Sequence, residues 1–318
     1  MRIWFFGTPS LAATVLQDLI RAPDMEVAFA VTNPDKPFGR DQVMRSSPVK
    51  DLAIANNIPV LQPTKIQDNI EFFDQLRSYT CDYFIVVAYG RILPLELLQI
   101  PSKMCINVHG SILPAYRGAS PIQAALLNWE KETGVTIMEM SEGMDEWDML
   151  KVRTIAIDST ETSQSLFAKF ALVSWPTLIQ TLRELETGGI TSLSQDANQA
   201  TYCKKIDKED WLIDWSKNAR EIYQMWQAYT PWPGIYTIFE GKRLQLDQIY
   251  FLRNDDKIDS MLAADKEIGT VMRLTDNQIG VICGEWVLTL NTVKLEWKKS
   301  QSIKDFVNGN QKFIWVTL

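Results

Sequence analysis

Short apolar runs alternate with helical periodicities over the first 186 residues. Arg2–Phe6 is an apolar run closed by Gly7-Thr8-Pro9, after which Leu11, Ala12, Val15, Leu16 and Leu19 recur at helical spacing. Strand, turn and helix in that order open a doubly wound α/β sheet. Val27–Val31 predicts the second strand, Pro48–Ala55 a helix, Ile58–Leu61 a short strand, Asp68–Arg77 a helix and Asp82–Val87 a buried strand. Between the second strand and the helix at Pro48, residues 33–47 form an irregular loop of a length that usually carries function. Ala88-Tyr89-Gly90-Arg91-Ile92-Leu93-Pro94 is a further loop with a helix beyond it.

The run Met104–Val108 predicts a central strand ending on polar residues, followed by the Pro/Gly-punctuated stretch Gly110–Gly118 and a helix over Ser120–Trp129. Thr133–Met138 is rich in β-branched residues and reads as a strand. The acidic loop Ser141–Asp148 leads to a strand over Met149–Ile157, and Thr162–Glu186 to a long helix that Pro176 should kink or restart. Residues 187–206 are polar and aperiodic, as in a linker. Beyond them the pattern changes: a helix over Ser216–Tyr229, the rigid turn Thr230-Pro231-Trp232-Pro233-Gly234, then short strands at Ile235–Phe239, Arg243–Phe251, Gly269–Leu274, Gln278–Cys283 and Trp286–Leu295. A short helix over Ser302–Gly309 follows. The expectation is a Rossmann-like domain (1–186), a linker (187–206) and a small β-barrel of the oligonucleotide-binding type (207–318).

Composition narrows the function classes. Charged residues are 22% of the 318 and the net charge is −7, which argues against a nonspecific nucleic-acid binder. The acidity is uneven: residues 1–203 hold 16 Lys/Arg against 23 Asp/Glu, whereas residues 204–318 hold 16 of each. Cys81, Cys105, Cys203 and Cys283 are dispersed without a C-x-x-C, so neither a zinc site nor a disulfide framework is expected and a reducing cytoplasm fits. No apolar run reaches the length of a membrane span, and the opening residues read as a strand rather than a signal peptide. G-x-G-x-x-G is absent from the first turn, which argues against a dinucleotide. With no apolar heptad, a monomer is the default expectation.

His109 is the single histidine of the chain. A lone histidine is ordinarily a satisfied structural residue, but this one ends a predicted parallel strand, where α/β enzymes keep their chemistry. Asn107, two residues earlier, leaves the same strand face. Asp145, in the later acidic loop, supplies a carboxylate. An imidazole moves protons near neutrality, a carboxylate orients it and favours its charged form, and an amide donates to a developing oxyanion. With no Ser or Cys nucleophile evident, direct acyl transfer between two bound substrates fits better than a covalent acyl-enzyme.

At these residues the sequence resembles the folate-dependent formyltransferase family, whose N-x-H-x-S-L-L-P stands here as Asn107-Val108-His109-Gly110-Ser111-Ile112-Leu113-Pro114. Its catalytic aspartate corresponds to Asp145 in Glu142-Gly143-Met144-Asp145. The likeness extends over essentially the whole chain and is closer still to members acting on methionyl-tRNA. Phe6-Gly7-Thr8-Pro9, Pro34-Asp35-Lys36-Pro37, Tyr116-Arg117-Gly118-Ala119, Ile213-Asp214-Trp215-Ser216 and Pro231-Trp232-Pro233-Gly234 are among the shared words. The resemblance implies transfer of a formyl group from 10-formyltetrahydrofolate to the α-amino group of methionyl initiator tRNA, with no metal. It implies that Asn107 and His109 polarise the formyl carbonyl and that Asp145 sets the charge of His109 and helps take the amine proton. Ser111, Ile112, Leu113 and Pro114 would line the folate site, with Tyr89, Gly90 and Ile92 as further wall. Arg40, Arg45, Lys50, Lys204, Lys205 and Lys208 would meet tRNA.

Two words depart from the family pattern. Gly39-Arg40-Asp41-Gln42-Val43 stands where G-R-G-K-K is usual, and Asp145-Glu146-Trp147-Asp148 where Asp-Thr-Gly-Asp is usual. An amino-sugar N-formyltransferase with the same folate donor is the alternative. A catalytically impaired RNA-binding protein and a formyl-folate hydrolase are weaker ones.

Overall fold

The computed structural model describes residues 1–38, 42–140, 142–252, 267–274 and 277–318. The chain divides into two compact units: residues 1–121, 132–157 and 167–204 form the first, and residues 122–131, 158–166 and 205–318 the second.

In the first unit the strands are β1 (Arg2–Gly7), β2 (Glu26–Val31), β3 (Lys36–Phe38), β4 (Val43–Arg45), β5 (Val60–Leu61), β6 (Tyr83–Val87), β7 (Met104–His109), β8 (Arg117–Gly118), β9 (Glu132–Glu139), β10 (Met149–Ala156) and β11 (Tyr202–Cys203). The main sheet runs β10-β9-β7-β6-β1-β2-β5. From β5 to β7 all neighbours are parallel, whereas β9 runs antiparallel to β7 and β10 antiparallel to β9. The predicted Rossmann-like sheet is therefore extended by an antiparallel edge pair beyond β7.

Central parallel strands must be apolar on both faces because helices cover each side. Accordingly, every residue of β6 is buried, and in β1 every residue after Arg2. Their core is aromatic. Phe84 stacks on Trp4 at 5.3 Å between centroids and lies 5.0 Å from Phe6, while Phe29 meets Trp4 edge-on at 5.0 Å. The first helix, α1 (Ser10–Arg21), buries the Ala12, Val15, Leu16 and Leu19 stripe that its periodicity predicts.

Three expectations change. The irregular loop after β2 contains a hairpin, with Lys36 opposite Arg45 and Phe38 opposite Val43. The helix Ser163–Glu186 is continuous through Pro176. Pro176 and Leu172, whose carbonyl it deprives of a donor, both lie on the exposed face, where that carbonyl is open to solvent. The stretch 187–206 is no free tether. Leu193 bridges Met149, and β11 pairs in parallel with β8.

The second unit has strands β12 (Ile235–Phe239), β13 (Lys242–Leu252), β14 (Val271–Arg273), β15 (Ile279–Ile282), β16 (Val287–Leu295) and β17 (Gln301–Ser302). They are ordered β12-β13-β16-β15-β14, with β17 on β16. The helix Ala219–Tyr229 starts three residues later than its periodicity suggests, because Asn218 and Glu221 cap it reciprocally. The expected barrel is a curled antiparallel half-barrel. Register shifts around Gln248 bend β13, and the free edge of β14 is taken by the chain's last residues through Val271 N–H to Val316 O and Trp315 N–H to Val271 O, both 2.8 Å. Phe239, Phe306 and Phe313 fill its interior edge to face.

Truncating Phe84 removes a ring from the centre of the first core. Phe84→Ala is expected to cost about 3–5 kcal/mol in the unfolding transition of the first unit, read by urea titration. A loss below ~1 kcal/mol would mean that the aromatic cluster does not hold the sheet.

Candidate active site

Strand β7 presents Asn107 and His109 at its carboxyl end, opposite Met138 and Thr136 of β9. The loop that follows is pinned to the same Thr136. Its hydroxyl donates to Ser111 O at 2.7 Å and accepts from Leu113 N–H at 3.2 Å. Ser111 is fully buried and donates to Ala115 O, and Leu113 sits in an apolar cluster with Met138 and Met149. Tyr116 then adopts φ +59°, and its carbonyl reaches His109 Nε2 at 3.0 Å.

Asp145 completes the group. Its Oδ2 lies 3.5 Å from His109 Nδ1 and accepts from Gly118 N–H at 2.9 Å, while Oδ1 accepts from Asn107 Nδ2 at 3.4 Å. The three side chains expected to form one group thus meet in space, Asn107 and His109 through their strand spacing and Asp145 from a loop 38 residues on. Gly118 has φ +119°, and a Cβ there would stand 2.3 Å from Cys203 O on β11. Only glycine allows that close approach, so glycine at this position also keeps its own N–H on the Asp145 carboxylate.

His109 is 5% exposed. Burial pushes its imidazole below the ordinary range, and the Asp145 carboxylate and the Tyr116 carbonyl pull the other way. Asp145 thus favours the charged form, as expected, but burial prevails and the resting ring is neutral. Tyr116 O takes the Nε2 proton, leaving the Nδ1 lone pair facing Asp145.

The departure at Glu146-Trp147 is accommodated outward. Trp147 is 38% exposed, and its indole N–H donates to Glu142 O at 2.6 Å, closing the loop on itself. Glu146 is half exposed, with Oε2 3.9 Å from the Arg117 guanidinium. Two residues that sequence reasoning did not single out bind this loop. Buried Arg117 donates to Gln195 Oε1 through Nε at 3.0 Å and Nη2 at 2.8 Å. Gln195 Nε2 in turn donates to Asp145 O at 2.9 Å and Trp147 O at 2.6 Å. Arg117 stood within a resemblance word, but nothing in its polar, aperiodic surroundings marked Gln195.

The other expected residues separate. Ile112 and Pro114 are part-buried in the loop after β7. Tyr89 is buried in the first core with its ring edge on Phe6 at 5.7 Å, so its side chain is packing rather than the wall expected of it. Gly90 is exposed, and Ile92 is 85% exposed. Lys50 is paired with Asp35 at 2.7 Å, and Asp35 also accepts from Gln62 at 2.8 Å. The Lys50 pairing, first, and the Gln62 bond hold the Asp35 carboxyl below its ordinary value. A lysine so engaged is a poorer phosphate ligand than its sequence position suggests. Arg45 is exposed on β4, Lys204, Lys205 and Lys208 are exposed, and Arg40 lies outside the described residues. Among the described residues, no helix is long and apolar enough to cross a membrane.

An amide, a neutral imidazole and a carboxylate at the carboxyl edge of a parallel sheet are equipped for acyl chemistry. Residues 1–182 match the family model described as formyl transferase, and residues 205–311 that of its C-terminal domain. The chain belongs to the formyl transferase family. It is 40% identical over 309 residues to the methionyl-tRNA formyltransferase of Caldicellulosiruptor saccharolyticus, with 97% of each chain covered. Its fold resembles HypX from Aquifex aeolicus in complex with tetrahydrofolic acid, with TM-score 0.63 and 16% identity, covering 99% of this chain and about half (48%) of that one. It likewise resembles WlaRD, a sugar 3N-formyl transferase solved with dTDP and 5-N-formyl-THF, with TM-score 0.63, 16% identity and coverage of 94% and 99%.

Because His109 is the single histidine, its ring-proton NMR resonance titrates alone. The expected midpoint lies below the ordinary 6.5, and Asp145→Asn should lower it further by removing the carboxylate that pulls it up. By linkage, stability from this group is present above pH 6.5 and lost as pH falls through that value toward the folded-state midpoint. A midpoint above 6.5 would mean that the carboxylate, not burial, sets the charge. For Gly118→Ala, the added Cβ must part β8 from β11; a loss of about 1–3 kcal/mol is expected by thermal unfolding.

Proposed function

We propose that the chain transfers the formyl group of 10-formyltetrahydrofolate to the α-amino group of methionyl initiator tRNA in the cytoplasm, supplying the formylated initiator for translation. The observation that carries this reading is the convergence of Asn107, His109 and Asp145 in a chain 40% identical along nearly its whole length to a methionyl-tRNA formyltransferase. No metal is required. The part-buried apolar side chains of Ile112 and Pro114, on a loop fixed by Thr136, suit a flat heterocycle, and the folate supplies the formyl group when bound.

Asn107 donates from Nδ2 to the carbonyl oxygen as it gains charge. Neutral His109, its Nε2 hydrogen-bonded to Tyr116 O, receives the amine proton at Nδ1 as the new bond to the formyl carbon forms. Asp145 at 3.5 Å stabilises the imidazolium, and that proton passes to the departing folate nitrogen as its bond to the formyl carbon breaks. A neutral resting ring serves this role better than a charged one, since only the neutral ring accepts a proton. Residues 1–186 hold this chemistry, and residues 207–318, with the exposed Lys204, Lys205 and Lys208 near their start, contribute to tRNA binding.

The test is formyl transfer measured with methionyl initiator tRNA and, in parallel, with a dTDP-linked amino sugar. Transfer to the tRNA alone is expected, falling by about two orders of magnitude or more in His109→Ala. Transfer to the sugar alone would replace this reading with the amino-sugar one.

A further inference from the structure

The stretch 192–203 crosses both loops of the site. Ser192 Oγ and Ser194 Oγ donate to the Asp148 carboxylate at 3.1 and 2.9 Å, and Leu193 exchanges main-chain bonds with Met149, both 2.9 Å. Further along, Thr201 O accepts from Arg117 N–H at 2.8 Å, and Thr201 Oγ1 accepts from Tyr116 N–H at 2.8 Å. Between these two attachments stands Gln195. Its side-chain amide is fully used: Oε1 takes both donors from Arg117, and Nε2 gives its two protons to Asp145 O and Trp147 O.

Asp145 has φ +54°, a left-handed conformation that a non-glycine residue resists and that its surroundings must hold. The Gly118 N–H holds the carboxylate, but nothing about that bond fixes the peptide carrying it. Gln195 does so, gripping the carbonyls on either side of Glu146. Arg117, buried and 3.9 Å from Glu146, locks the Gln195 amide in the one orientation that points its N–H groups at the loop.

We propose that Gln195, oriented by Arg117, is a positioning residue for catalysis: it holds the 145–147 backbone so that the Asp145 carboxylate stays against His109. Gln195 touches no reacting atom, so its role lies in the geometry of Asp145. The proposal rests on Asp145 acting in formyl transfer.

Two replacements separate its parts. Gln195→Glu keeps the acceptor for Arg117 but turns an oxygen toward two carbonyls. Gln195→Met keeps the length and offers no donor. For both, kcat for formyl transfer should fall by roughly tenfold to a hundredfold, with Glu the worse. The KM for 10-formyltetrahydrofolate should stay near the parent value in both. So should the midpoint of thermal unfolding in Gln195→Glu, which keeps the acceptor for Arg117, a split that a purely structural role would not give. Gln195→Met, which leaves buried Arg117 without that acceptor, should also unfold at a lower temperature. Gln195→His, which can still donate one N–H, should recover part of the loss. If either Glu or Met retains kcat within twofold, or if kcat falls only in step with unfolding, the positioning role is overturned. Asp145→Asn is run alongside. Should it keep parental kcat, the reading of Asp145 fails, and the inference with it; should it lose activity while the Gln195 variants do not, the inference alone fails.

Discussion

The site depends on a carboxylate held against a buried imidazole. A carboxylate and an imidazole taken out of water lose hydration that their mutual attraction only partly returns. The pair persists because each member is tied down by main-chain groups: His109 by Tyr116 O, Asp145 by Gly118 N–H. Tyr116 and Gly118 flank Arg117, so three consecutive residues set the distance between proton acceptor and carboxylate. Burial keeps the ring neutral at rest, and the nearby charge favours the protonated ring once a proton arrives. A proton acceptor needs that combination, since a ring held charged by its partner would have nothing left to accept.

The sheet explains why this pair is at the carboxyl end of β7. Within the main sheet the neighbours from β5 to β7 are all parallel, so each loop at that end leaves the sheet toward a covering helix or connection. Beyond β7 the neighbour is antiparallel β9, whose Thr136 lies opposite His109 and uses its hydroxyl to staple the loop after β7. The switch from parallel to antiparallel pairing thus gives His109 a rigid partner on one side and an unpaired loop in front.

The main-sheet strands and the long helices were legible because each buries a face or both faces, and burial leaves periodicity in the sequence; β4, exposed throughout, left none. Asn107 and His109 were legible for a related reason: a spacing of two on a strand means one face. Asp145 was placed by resemblance, since no periodicity links positions 38 residues apart. Pro176 does not restart the helix, because a rule about lost hydrogen bonds says nothing about which face of a helix the loss falls on. Tyr89 misled because an aromatic after a strand fills a core as readily as it walls a site. The stretch 187–206 was opaque for the deeper reason that its contacts are polar. Hydrogen bonds from Ser192, Ser194, Gln195 and Thr201 to main chain and carboxylates need no repeating pattern.

That same polarity resolves the departure at Glu146-Trp147. A clamp that grips side chains would be lost when the family's usual Thr-Gly gives way to Glu-Trp. Gln195 grips the carbonyls of Asp145 and Trp147 instead, and a carbonyl is the same group whatever residue carries it. The side chains at 146 and 147 are then left to face outward, where Glu146 leans toward Arg117 and Trp147 caps Glu142 O. A tryptophan in the place of a glycine would break a loop whose backbone needed φ beyond its reach, and Trp147 is not among the residues with positive φ; that demand falls on Asp145 and on Gly143. The bulk of Trp147 is therefore tolerated because the strain of the loop is carried two residues away, at the aspartate the clamp holds.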